Sequence, residues 1–123
     1  MLIARADRAQ PFTTKDGSTI RELLNVAHPP TRNQSLAEAT VPPGGATQRH
    51  RHLVTEEIYL LLEGAGEMEI DGERRAVGVG DAILIPPGAR HTIRCTSPGP
   101  LRFLCMCAPP YTHEDTVLDE GEA

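Results

Sequence analysis

Three histidines and a glutamate, His50, His52, Glu57 and His91, are the side chains of this sequence best suited to chemistry. Imidazole nitrogen and carboxylate oxygen together suit a divalent ion such as iron, manganese, nickel, cobalt, copper or zinc. His50 and His52 stand two apart in a stretch that reads as a strand, and on a strand that spacing puts both rings on one face. Glu57 and His91 come from separate segments, so a fold has to bring the four together. One divalent ion is the expected cofactor, its identity left open because the same donors accept several metals.

The elements that would position these residues are short. A chain of 123 residues is about one domain, and eleven Gly, eleven Pro and no long stripe of helical period argue for an all-β fold. Aromatic residues make up 3%, so the core has to be aliphatic. After the Lys15-Asp16-Gly17-Ser18 turn comes a run, Thr19 to Leu24, readable as a strand or a short helix. Further strands are expected over 34–41, 47–53, 57–63, 67–70, 74–77, 82–86, 91–95 and 101–107. Gly64-Ala65-Gly66, Asp71-Gly72 and Pro-Gly loops separate them. The organisation expected is an N-terminal strand and dimer-contact segment over 1–32, a barrel over 33–108 and a mobile acidic tail over 109–123.

Strand parity then assigns the interior. His50 and His52 pointing inward bring Gln48 with them and send Arg49 and Arg51 out. Glu57 brings Tyr59 and Leu61, whereas a one-residue slip would present Glu56 instead. His91 brings Ile93 and Cys95, and Arg102 facing water places Phe103, Cys105 and Cys107 inside. Gln48, Tyr59, Cys105 and Arg90, the last on the loop beside His91, are the candidates to touch a small-molecule substrate. No second strong acid or base is evident in this interior. The opposite faces carry Ile58, Leu60, Leu62, Leu84, Leu104 and Met106, enough aliphatic surface to predict a homodimer, with the first strand open to exchange.

A net charge of −5 without a basic stripe argues against nucleic acid, and no run approaches the length of a membrane span. No signal-peptide core is visible, and three cysteines, two of them on one strand, argue against a disulfide framework, so a cytoplasmic protein with reduced thiols is expected. His28 and His113 read as surface loop residues.

The two histidine segments resemble the cupin superfamily. The first motif, G-x5-H-x-H-x4-E-x6-G, is met by Gly44, His50, His52, Glu57 and Gly64. The second, G-x5-P-x-G-x2-H-x3-N, is met by Gly80, Pro86, Gly88 and His91, with Cys95 where the family often has Asn. The resemblance implies a double-stranded β-helix, or jelly-roll barrel, in which His50, His52, Glu57 and His91 bind one divalent metal. A narrower similarity, through Gln48-Arg49-His50-Arg51-His52, the run from Glu57 to Gly64 and the ending from Pro109 to Asp115, is to the C-terminal cupin module of mannose-6-phosphate isomerase and mannose-1-phosphate guanylyltransferase. The function expected is a metal-dependent enzyme on a small polar metabolite, by isomerase, lyase or dioxygenase chemistry. The alternative is a non-catalytic sugar-binding or sensor module.

Overall fold

The computed structural model describes residues 1–27 and 30–119, so the expectation for His28 lies outside the described residues. After a 3-10 turn at Ala6–Arg8 come β1 (Phe12–Thr13), β2 (Thr19–Leu24), β3 (Ser35–Val41), β4 (His50–His52), β5 (Glu56–Glu63) and β6 (Ala65–Ile70). Then follow β7 (Glu73–Gly78), β8 (Ala82–Ile85), β9 (His91–Cys95), β10 (Leu101–Ala108) and β11 (Thr116–Leu118). They form two antiparallel sheets, one ordered β1-β2-β3-β10-β5-β8 and the other β11-β4-β9-β6-β7. This is an all-β, single-domain jelly roll: the strand pattern predicts the all-β class, and the cupin resemblance implies the jelly roll. The run from Thr19 to Leu24 is a strand and not a helix.

Alternation sets which side chains fill the space between the sheets. On β10, Leu101, Phe103, Cys105 and Cys107 are buried while Arg102, Leu104 and Met106 alternate with them. The central core joins Leu61, Ile85, Ile93, Leu101 and Phe103, each at most 1% exposed. With so few aromatics, the Tyr59–Phe103 ring pair, 4.5 Å between centroids, is the main aromatic contact there.

Three local features depart from the sequence expectations. The strand expected over 47–53 is regular only at His50–His52. Upstream the backbone is tied irregularly, the Thr47 N–H donating to the Ile93 carbonyl and the Gln48 N–H to the Asp16 carbonyl, so strand parity does not extend back to Gln48. The turn expected at Gly64-Ala65-Gly66 is made by Gly64 alone, and Ala65 and Gly66 already belong to β6. Part of the segment read as an acidic tail, Thr116–Leu118, pairs with β4 and completes the histidine-bearing sheet.

The Asp71-Gly72 hairpin is as expected, with positive φ at both residues (47° and 88°), the conformation a two-residue turn of matching twist requires. Gly64 is more constrained. Its φ is +82°, and a Cβ there would meet the Pro100 carbonyl, the Ser97 hydroxyl at 2.9 Å and the Leu101 backbone at 3.0 Å. Gly80 has a similar φ of +90° but open space around it. In chemical denaturation Gly80→Ala should cost about 1 kcal/mol, the left-handed backbone penalty, and Gly64→Ala clearly more because the clash adds to it. Equal losses would show that Pro100 yields freely.

Candidate metal centre

The four metal-type side chains converge from both sheets. β4 presents His50 and His52, and β9 presents His91 in direct register with His50. Across the barrel, β5 presents Glu57. All four are buried, with His50, His52, Glu57 and His91 at 2%, 3%, 4% and 0% exposed, and one ligand atom from each lies within 4.8 Å of the others. Glu56 is exposed on the opposite face of β5, so the register follows the family spacing.

The outer ring nitrogens fix the tautomers. His50 Nδ1 lies 2.8 Å from the Gln48 carbonyl and His91 Nδ1 lies 3.0 Å from the Ala89 carbonyl. A carbonyl only accepts, so both Nδ1 atoms carry the proton. For His52 the partner is the Thr116 hydroxyl at 3.1 Å, which itself donates to the Thr112 carbonyl at 3.0 Å and therefore accepts from the ring. All three Nε2 atoms are thus lone pairs directed inward.

What they face is also an acceptor. His52 Nε2 is 3.1 Å and His91 Nε2 3.6 Å from Glu57 Oε1, and His91 Nε2 is fully enclosed with no hydrogen-bond partner. Burial, then the neighbouring His91, pulls the His50 imidazole down from 6.5 to about 4, so protonating it does not relieve the arrangement near neutral pH. Converging buried acceptors without a donor fit a cation between them, and the donor set fits a divalent metal.

The remaining Glu57 oxygen is held separately. The Cys107 thiol donates to Oε2 at 3.3 Å, from the position directly opposite Glu57 on β10. Burial pushes that thiol well above its ordinary range, as does the adjacent Glu57 charge, so it stays a donor. Oε1 is thereby left for the imidazole cluster.

One acid that the sequence reading did not place here completes the site. Asp16 Oδ1 accepts from the Thr14 hydroxyl at 2.8 Å, the Ser18 N–H at 2.9 Å and the Ser18 hydroxyl at 2.6 Å, while Oδ2 points at His50 Nε2 from 3.5 Å. The Lys15-Asp16-Gly17-Ser18 stretch is the turn its sequence indicates, and it lies over the barrel mouth. Lys15 pins it there by donating to the His113 and Thr116 carbonyls.

Below this turn is a small, partly enclosed chamber. Tyr59 and Cys105 line it, as expected, and burial raises both their hydroxyl and thiol well above ordinary values. Gln48 does not: it is exposed, and what it contributes is its carbonyl to His50. Arg90 does not either: it is exposed and pairs with Asp119 at 3.2 Å. Gly44, Gly64, Gly80 and Gly88 all sit at positive φ and shape turns. Residues absent from the expected set, including Thr14, Glu22, Ser35 and Tyr111, line the chamber instead. The Tyr111 ring stands edge-on to His52, 5.9 Å between centroids.

Residues 37–107 match the family described as Cupin domain. The chain belongs to the cupin family. This cupin is 49% identical over 114 residues to an uncharacterized protein of Methanocaldococcus jannaschii, covering 93% of this chain and 91% of that one. It is 29% identical over 79 residues to a mannose-1-phosphate guanylyltransferase of Klebsiella pneumoniae, covering 64% of this chain but 17% of the relative. The solved polyketide cyclase RemF from Streptomyces resistomycificus superimposes with a TM-score of 0.74 at 26% identity, covering 94% of this cupin and 89% of RemF. Among the described residues, no helix is long and apolar enough to cross a membrane.

The contacts behind the ligands should set metal affinity. Cys107→Ala and Thr116→Val are each expected to weaken metal binding by about 10- to 100-fold in chelator competition, with Cys107→Ser and Thr116→Ser close to wild type. Unchanged affinity in Cys107→Ala and Thr116→Val would show that the ligands are held without them.

Proposed function

We propose that this cupin is a metal-dependent enzyme acting on a small polar metabolite, with His50, His52, Glu57 and His91 holding one divalent ion and chemistry of the isomerase or lyase kind. The observation that carries this reading is the free Oδ2 of Asp16, 3.5 Å from His50 Nε2 inside the chamber. When bound, the ion would supply Lewis acidity toward a carbonyl or hydroxyl oxygen. Beside it, Asp16 Oδ2 would hold a proton taken from a neighbouring carbon of the substrate, its position fixed by the three donors on Oδ1. Tyr59 would act as a phenol, donating a hydrogen bond. The apolar wall of Phe12, Ile20, Ala39 and Phe103 would keep water from the reacting carbon.

The likeness to RemF, a cyclase, agrees with proton-transfer chemistry. Sugar-phosphate isomerisation is less well supported, because Arg90 pairs with Asp119 and, among the described residues, no Lys or Arg lines the chamber. Dioxygenation at an iron centre is the rival chemistry, and a sugar-binding or sensor module is the rival class. We also propose a homodimer that covers the outer face of the six-stranded sheet, where Ile58 and Leu84 are 37% and 54% exposed beside Leu60, Leu104 and Met106. A light-scattering mass of one chain in dilute solution would reject it. The three free thiols fit a cytoplasmic location.

Elemental analysis of anaerobically purified protein should find about one metal ion per chain, lost in His91→Ala. Asp16→Asn should keep the metal and lose at least about 100-fold in deuterium wash-in to small hydroxyketones, followed by NMR. Metal retained in His91→Ala would reject the ligand set. Oxygen consumption would favour the dioxygenase, and saturable binding without exchange or product the module.

A further inference from the structure

The charges around the chamber restrict what can enter it. Glu22 follows the buried Ile20 by two positions on β2 and so shares its inward face, where its carboxylate accepts from the Asn25 amide at 3.0 Å. Asp16 on the turn and Glu57 on β5 line the same chamber. Five basic side chains are engaged elsewhere: Lys15 on two backbone carbonyls, Arg102 and Arg21 on Glu38, Arg49 on Glu69, Arg90 on Asp119. Among the described residues, no Lys or Arg lines the chamber.

On the metal-dependent reading above, a dication among three carboxylates and neutral imidazoles leaves the chamber with a surplus negative charge. An anionic group at the ion would share a partly enclosed, low-dielectric space with Asp16 and Glu22, where like charges repel several-fold more strongly than in water. Around these acids the lining is largely apolar, with Phe12 and Ile20 on β1 and β2, Ala37 paired with Glu22 and Ala39 paired with Ile20 on β3, and Phe103 on β10, while Thr14, Ser18, Ser35 and Tyr111 offer hydroxyls. We infer that this site takes compact uncharged molecules that give oxygen donors to the ion and lay an apolar part against this lining, and that Asp16 and Glu22 act as a charge filter against carboxylates and phosphates. The filter rests on the metal reading, because without the dication the carboxylates would face nothing that draws an oxygen ligand inward.

A matched pair of probes separates the filter from the intrinsic preference of the ion. 1-Phenyl-1,2-ethanediol and mandelate have the same phenyl group and hydroxyl, and differ in that a carboxylate replaces an alcohol. Free cobalt prefers mandelate. Cobalt-loaded wild-type protein, titrated with each probe while the visible cobalt spectrum is followed, should instead bind the diol more tightly. Glu22→Gln preserves shape and hydrogen bonding and should raise mandelate affinity by about tenfold while leaving the diol unchanged; Asp16→Asn, at the proton-holding residue, is scored on the ratio of mandelate to diol affinity, which should also rise about tenfold, so that the double variant reverses the order. Mandelate bound more tightly by the wild type, or mandelate affinity unmoved by both substitutions, would overturn the filter. Cobalt uptake is scored separately in the same samples: no uptake would overturn the metal reading and the filter with it, whereas uptake with the mandelate preference of the free ion would overturn the filter alone.

Discussion

The structure depends on an electrostatic conflict placed at the centre of its barrel. Three imidazoles give their Nδ1 protons to fixed oxygens at the periphery and turn their lone pairs toward a carboxylate oxygen that also only accepts. In a water-poor interior such a cluster is costly unless a cation resolves it. The second layer of contacts is therefore as much a part of the site as the ligands. A carbonyl from the residue two before His50, another from the residue two before His91, the Thr116 hydroxyl and the Cys107 thiol each commit one atom so that a neighbouring atom can point inward.

The barrel makes the arrangement possible by setting the donors on opposing sheets. The imidazoles come from β4 and β9, whose register puts His50 beside His91, and the carboxylate comes from β5. A packed sandwich would leave no room for a substrate there. Small residues on the facing strands, Ala37 and Ala39 on β3 and Cys105 on β10, keep the space open, while Phe103 and Tyr59 close it off behind.

How much of this could be read from the sequence depended on distance along the chain. His50, His52 and His91 were legible because glycine and proline punctuation fixes strand limits and period-2 alternation then fixes faces, whereas the choice of Glu57 over Glu56 came from the spacing of the cupin motif. The same reasoning placed Tyr59, Cys105 and Phe103 correctly. It failed at Gln48, two residues before the regular part of β4 begins at His50, because alternation holds only where a ladder of hydrogen bonds enforces it. It also missed Asp16 and Thr116. Asp16 carries every local mark of a turn residue, and only its bond from the Gln48 N–H and the Lys15 contacts reveal that the turn caps the barrel. Thr116 sits in an acid-rich stretch whose composition suggested a free tail, and its role comes from pairing with His52 across 64 positions.

That last contact ties the cluster to the rim of its sheet. β11 is an edge strand with β4 as its neighbour, joined through three residue pairs where β7, at the opposite edge, has six, so local opening of this sheet begins more readily at β11. Each opening would take from His52 the hydroxyl that holds its Nδ1 proton, leaving that ring free to change tautomer. The order of the buried cluster is thus governed from the outermost strand of the barrel.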